Sequence, residues 1–326
     1  MGAIESKDYA ASGGKMPEAP VGFVKRKKKK DVGGIVFIVT MLAIPIVSFL
    51  FFYVYINFNS ILMAFQEPKF DGKNGFTWGF GNFVKFFEKF ASPGVADNLG
   101  VCLLNTLIYF CTDMFVILPL SLMICYFTYK KIAGYQVFRT IIYLPIIITA
   151  PIMVALYKGI IEPGGIVHMI AGQMGVDLPD SFVNNSDYSL GTILFYMIYT
   201  GIGGRFVLLG GAMNSIDSSI IDAGKIDGAG PYRELVSIVI PCIWPTLATL
   251  ILMGSTAVFT ASGPLLLFDQ GRFGSKSISY YIYAITESGG DSSASVELAS
   301  AVGIIFTLLA LPIVMLVKKL TKITEE

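Results

Sequence analysis

Two short polar triplets, Asp222-Ala223-Gly224 and Asp227-Gly228-Ala229, stand five residues apart in a segment (DAGKIDGAGPYRELVSIVIP, Asp222 to Pro241) that carries three acids and two bases between long apolar runs. Carboxylates on a surface helix and the turn after it suit an encounter with cationic groups of another protein. Bond-making chemistry has little to work with. There is no GxSxG or HExxH, and the sole histidine is His168, so histidine-based catalysis is nearly excluded. GxxxxGK[ST] is missing too; the chain is expected to be no enzyme, to hold no cofactor or metal, and to cradle no ATP phosphates itself.

The elements that must position the triplets follow from spacing. Asp217 or Ser218 caps a short helix whose apolar face is Ile216, Ile220 and Ala223. Gly228 and Gly230 tolerate positive φ and break it, and Pro231 suits the first turn of a second helix carrying Tyr232, Leu235, Val236 and Val239. Helix, glycine turn and helix make a compact knob; the plainer reading is an interfacial helix followed by a loop.

The surroundings are a membrane. Of 326 residues 54% are hydrophobic and 14% charged, and mean hydropathy is +0.68, the balance of a chain that exposes apolar surface to lipid. Gly34–Ile56 is charge-free and long enough to cross about 30 Å of hydrocarbon. Further spans are expected at Val101–Phe127, Thr140–Tyr157, Leu190–Met213, Cys242–Leu267 and Ala299–Val317, giving an all-α polytopic protein of six transmembrane helices. The basic run Lys25–Lys30 before the first span sets the amino terminus in the cytoplasm, and with six spans the carboxyl terminus as well. Sixteen Lys and Arg outside the spans then lie on that side and seven on the other. Residues 1–30 read as a disordered basic cytoplasmic leader, 31–322 as the membrane domain with its polar loop at 214–241, and 323–326 as a tail. Net charge is +1, which gives no reason to expect a nucleic-acid partner. Cys102, Cys111, Cys125 and Cys242 lie in or beside spans without metal spacing and read as packing residues.

Polar groups inside spans are the other candidates. Asp113 falls mid-span, where a lipid-facing charge costs at least about 2.5 kcal/mol. It either contacts solute on a path, together with Asn105 and Tyr199, or makes an interhelical hydrogen bond. Arg205 is a solute contact or a snorkelling residue near the cytoplasmic end of the fourth span. Glycines between Thr200 and Asn214 permit close helix contacts or local unwinding, and Pro119, Pro145 and Pro151 kink spans.

The 222–241 pattern resembles the EAA loop of permease subunits of bacterial ATP-binding-cassette importers. Asp222-Ala223-Gly224 stands where Glu-Ala-Ala is usual, followed by Asp227-Gly228-Ala229, Ile238, Pro241 and Pro245. Asp222 is one methylene shorter than the usual Glu, and Gly224 replaces an Ala. LNTLIY (Leu104–Tyr109), FRTIIYLP (Phe138–Pro145), ASGP (Ala261–Pro264) and YYIYAIT (Tyr280–Thr286) resemble the carbohydrate branch, with maltose- and glycerol-phosphate-type permeases; Gly290–Gly303 is longer than the family version. The resemblance, over roughly residues 34 to 320, implies a type I ABC importer permease fold in the bacterial plasma (inner) membrane. It implies a coupling set of Asp222, Ala223, Gly224, Asp227, Gly228 and Ala229. It also implies a second homologous permease subunit, two cytoplasmic ABC ATPase subunits using ATP and Mg, an extracytoplasmic solute-binding protein, and a sugar or oligosaccharide as solute. The alternatives are an amino-acid or phosphate importer, a membrane scaffold that recruits a cytoplasmic partner, and, least favoured, an intramembrane enzyme.

Overall fold

A computed structural model describes residues 32–68, 75–90, 98–260, 263–288 and 294–321. The leader with Lys25–Lys30, Ala261 and Ser262 of the ASGP motif, 290–293 of the long loop, Lys322 and the 323–326 tail lie outside the described residues. The chain divides into two units, Met1–Ile56 and Asn57–Glu326.

In the first unit α1 (Val32–Ser48) continues as the π-helical turn Phe49–Tyr55. Every large apolar side chain described there is exposed, and Phe49–Tyr53 and Phe51–Tyr55 stack along its surface at 5.6 and 5.7 Å. That exposure costs little in hydrocarbon, where helices need no apolar partner. The helical run Phe37–Ala64, which includes α2 (Ile56–Ala64), is longer than the expected first span because the sequence after Ile56, although it holds Asn57, Asn59 and Ser60, stays free of charge, glycine and proline.

The second unit is helical apart from the antiparallel pair β1 (Gln66–Pro68) and β2 (Phe76–Trp78), which, like α3 (Gly81–Phe90), the hydropathy pattern does not announce. Asn82 secures α3 by donating to the carbonyls of Ala64 and Gln66 at 3.1 and 2.8 Å. One long span then joins α4 (Leu99–Cys111), a π-helical stretch Thr112–Ile117 and α5 (Leu118–Tyr129). Asn98 caps it by accepting from Gly100 and Val101.

The expected third span, Thr140–Tyr157, is bent. α6 (Tyr135–Ile147) stops, Ile148 and Thr149 are extended, and α7 (Ala150–Ile161) starts afresh. Pro151 accounts for the restart: it lacks an amide hydrogen and is harmless only in a helix's first turn. α8 (Ile166–Gln173) follows, then α9 (Ser189–Asn214), which matches the expected fourth span. The polar segment supplies α10 (Ser218–Ile226), α11 (Pro231–Glu234), the π-helical Leu235–Val239 and α12 (Ile240–Cys242). α13 (Trp244–Ala257) leaves this run at 75° and stops at Ala257, so the expected fifth span, Cys242–Leu267, is not one helix. Pro241 and Pro245 withhold amide hydrogens on either side of Ile243, where the chain turns. α14 (Leu265–Phe268), α15 (Ile278–Ser288) and the long α16 (Ala294–Thr321) complete the described chain, and α15 contains the YYIYAIT motif, Tyr280–Thr286. Among the described residues five helices are long and apolar enough to cross a membrane, or six if the bent pair is one span.

Hydrogen bonds sort the connections by end. Lys130 reaches Glu234, and Trp244 reaches the carbonyl of Thr321, so the turn after α5, the 215–241 segment and the end of α16 share one end of the bundle. At the other end Asn105 donates to the carbonyls of Gly274 and Lys276, Tyr109 to Ser275 and Lys158 to Leu267 and Phe268. Buried Asp269 accepts there from Ser189, Ser275 and the amide of Gly271, fixing the loop between α14 and α15 to the start of α9.

Candidate functional site

At the first end the polar segment stands as a knob. Asp217 caps α10, its carboxylate accepting from the Ser219 amide at 2.9 Å, and that bond holds the acid below the usual carboxylate range. Ile221 and Gly224 form the packed face, while Ile220 and Ala223 are exposed. The face is thus rotated from the expected one; Ile216 is half-buried but precedes the helix. Ile221 joins a core cluster with Met213, Val239, Ile243 and Leu247, so the knob is rooted in the bundle.

The six residues of the proposed coupling set form one continuous surface element. Asp222, Ala223, Asp227 and Gly228 are exposed, Ala229 is half-buried and Gly224 is buried. Asp222 pairs with Lys225 at 2.8 Å, which pushes the lysine pKa up; both ends are solvent-exposed, so the pair orients side chains more than it stabilises. Gly224 has a packing reason: a Cβ there would collide with Cδ1 of Ile238, so an alanine would require the tip of that side chain to move aside. Gly228 adopts φ +75°, a region that costs other residues, and the Ala229 amide then closes back on the Gly224 carbonyl at 2.9 Å.

Sequence reading missed what fastens this knob. Glu234 is 2% exposed, and both carboxylate oxygens accept from Lys130 Nζ at 2.9 Å. Tyr126 donates to the Pro231 carbonyl beside it at 2.9 Å. The only signal was a lone acid on the inner turn of the second helix and a lysine at the end of a span, which spacing cannot pair across a hundred residues. Two large apolar groups face out instead: Ile226 is 86% and Tyr232 80% exposed.

A second feature lies within the bundle. A cavity of about 450 Å³ is bounded by α4, the π-helical stretch, α9 and α13, with Tyr109, Asp113, Arg205, Met253 and Gly254 on its wall. Asp113 on the π-helical turn accepts from Nη2 of Arg205, and the two lie deep in their spans, fourteen residues from the start of one and nine from the end of the other. Pairing lets both charges sit at that depth. Asn105 is buried away from the cavity wall, holding the 274–276 backbone, and Tyr199 lines a different crevice with Tyr157, Phe182 and Phe195. His168 sits against the Phe182 ring at 5.6 Å.

No family model matches the chain. It is 26% identical over 189 residues to the sn-glycerol-3-phosphate transport system permease protein UgpA of Salmonella typhi, covering 56% of this chain and 62% of that protein. The chain therefore spans less than two thirds of that relative. It is 24% identical over 290 residues to the polygalacturonan/rhamnogalacturonan transport system permease protein YteP of Bacillus subtilis (strain 168), covering 86% and 87%. Among solved structures, a chain of a bacterial ABC transporter involved in the import of the acidic polysaccharide alginate superposes with TM-score 0.75 at 23% identity, covering 91% of this chain and 99% of that one. The chain is thus related to transport-system permeases and shares the fold of that importer's chain.

Proposed function

We propose that this chain is a permease subunit of an ATP-driven importer, forming with a second homologous permease the path by which a sugar or oligosaccharide crosses a bacterial plasma membrane. The observation that carries it is the knob: Ile226 and Tyr232 are exposed on the same short segment as Asp222 and Asp227, an element rooted in the bundle by Ile221 and clamped by Lys130–Glu234. Exposed apolar side chains beside acids, on an element held rigid, are what a groove on a partner protein would grip. We assign that partner to two cytoplasmic ATPase subunits, which would supply ATP and Mg chemistry, and the solute to an extracytoplasmic binding protein. The Lys and Arg distribution supports both termini in the cytoplasm, which puts the knob there too.

Geometry then gives a mechanism. The knob is continuous with α11, the π-helical Leu235–Val239 and α12, and the chain turns by 75° into α13. A displacement of the knob as a rigid body is a rotation of α13, whose Leu250, Met253 and Gly254 line the cavity. Coupling of this kind converts closure of the ATPases into a change in the path's shape. Within that path Asp113 accepts and Arg205 donates, a pairing suited to sugar hydroxyls.

The test is ATP hydrolysis by the reconstituted complex, with and without loaded binding protein, for wild type and Asp227→Lys/Gly228→Pro. Stimulation in the wild type that is lost in the variant supports the reading. Equal stimulation in both would reduce the segment to an interfacial helix.

A further inference from the structure

At the knob end of the bundle a cavity of about 230 Å³ opens between the end of α5, the start of α6 and the end of α9. It differs in character from the cavity at Asp113. Its wall carries Lys131, Arg139, Tyr129, Tyr135, Tyr143 and Asn214, and no acidic side chain. Neither Lys131 nor Arg139 forms an ion pair among the described residues; the nearby Lys130 is already committed to Glu234. The phenols of Tyr129 and Tyr143 have no hydrogen-bond partner there either, and Arg139 lies 5.5 Å from the Tyr143 ring centroid.

Two further observations give the cavity a direction and a ligand shape. Lys131, two residues past the end of α5, has φ +52°, a left-handed position where glycine is usual, and it lines the cavity. Along α6 the face that carries Arg139 and Tyr143 continues to Ile146 and Ile147, both exposed, an apolar strip leading from the polar pocket along the helix. Uncompensated cations and phenols at one end, with an exposed aliphatic surface leading away, complement an amphiphile with an anionic head. We propose that this cavity binds the phosphate headgroup of an anionic phospholipid in the leaflet at the knob end, with Lys131 and Arg139 as its charge partners and the acyl chains along α6. Basic pockets between helix ends favour such headgroups over zwitterionic ones. The site touches both α5, which holds Glu234 through Lys130, and α9, so an occupied pocket stiffens the mounting of the knob.

The experiment uses the full chain purified in mild detergent. Lipid retention by native mass spectrometry and the thermal midpoint are measured with phosphatidylglycerol, with phosphatidylcholine of the same acyl chains, and with inorganic phosphate. Phosphatidylglycerol is expected to be retained and to raise the midpoint, and Lys131→Gln/Arg139→Gln to weaken retention about fivefold per charge removed. Both side chains are exposed, so the variant's midpoint in phosphatidylcholine should match wild type; Lys318→Gln/Lys319→Gln, charges outside the cavity, should bind as wild type. Equal retention of phosphatidylcholine, or undiminished phosphatidylglycerol binding by the cavity variant, would overturn the proposal. A midpoint shift from inorganic phosphate as large as that from lipid would overturn the lipid assignment in favour of a soluble anion.

Discussion

Asp113 and Arg205 enter the bundle on different helices, and Lys130 and Glu234 join a span to the knob; in each pair one charge licenses the other. The second pair permits the sharper test because Glu234 is buried while its partner is only partly so. Lys130→Met strands a buried carboxylate and should cost about 3–5 kcal/mol, whereas Lys130→Met/Glu234→Met should recover most of the loss, since an apolar pair of similar volume removes both desolvation penalties. Thermal unfolding of the purified chain reads this directly. If the single variant melts like wild type, Glu234 is not held as described. Sequence alone kept Asp113 off the lipid, as a solute contact or an interhelical hydrogen-bonding residue, and read Arg205 as a solute contact or a snorkelling residue near a helix end. Their pairing depends on how the π-helical turn at 112–117 faces α9, which no residue pattern records.

Among the elements, the spans near 99–129, 189–214 and 296–321 were legible because uninterrupted apolar runs leave a helix no alternative in hydrocarbon. Bends were not. Pro145 and Pro151 signalled a kink in the third span, yet the break falls at Ile148 and Thr149, where neither residue is unusual. The same limit applies to glycines in α9. A Cβ on Gly203 would come within 2.8 Å of the Ile142 carbonyl, whereas one on Gly204 meets nothing within 4 Å. Adjacent residues of one type therefore have different jobs. Gly203→Ala should lower stability by about 1–3 kcal/mol by forcing α6 away, and Gly204→Ala should be tolerated or mildly stabilising. Denaturation of the two variants side by side checks it; equal behaviour would mean that α6 and α9 are not in close contact there.

In the whole molecule, a clamped surface element connects through a 75° bend to a cavity wall. The position of the knob was legible, since its polar residues interrupt apolar sequence and its glycines and proline punctuate two helices. Its orientation was not: expected contact residue Ile220 shares exposure with Ala223, but Ile221 and Gly224 turned out to be the rooted face because Ile238 occupies the space beneath them. What the packing leaves outward is Ile226 and Tyr232, large apolar groups with no role in the lone chain. Retention of the cognate ATPase subunit through affinity purification of the membrane complex therefore tests the central claim, comparing wild type with Ile226→Asp. The account predicts normal amounts of the variant chain in the membrane, an unchanged melting temperature and loss of most of the bound ATPase. Full ATPase retention by the Ile226→Asp chain would contradict it.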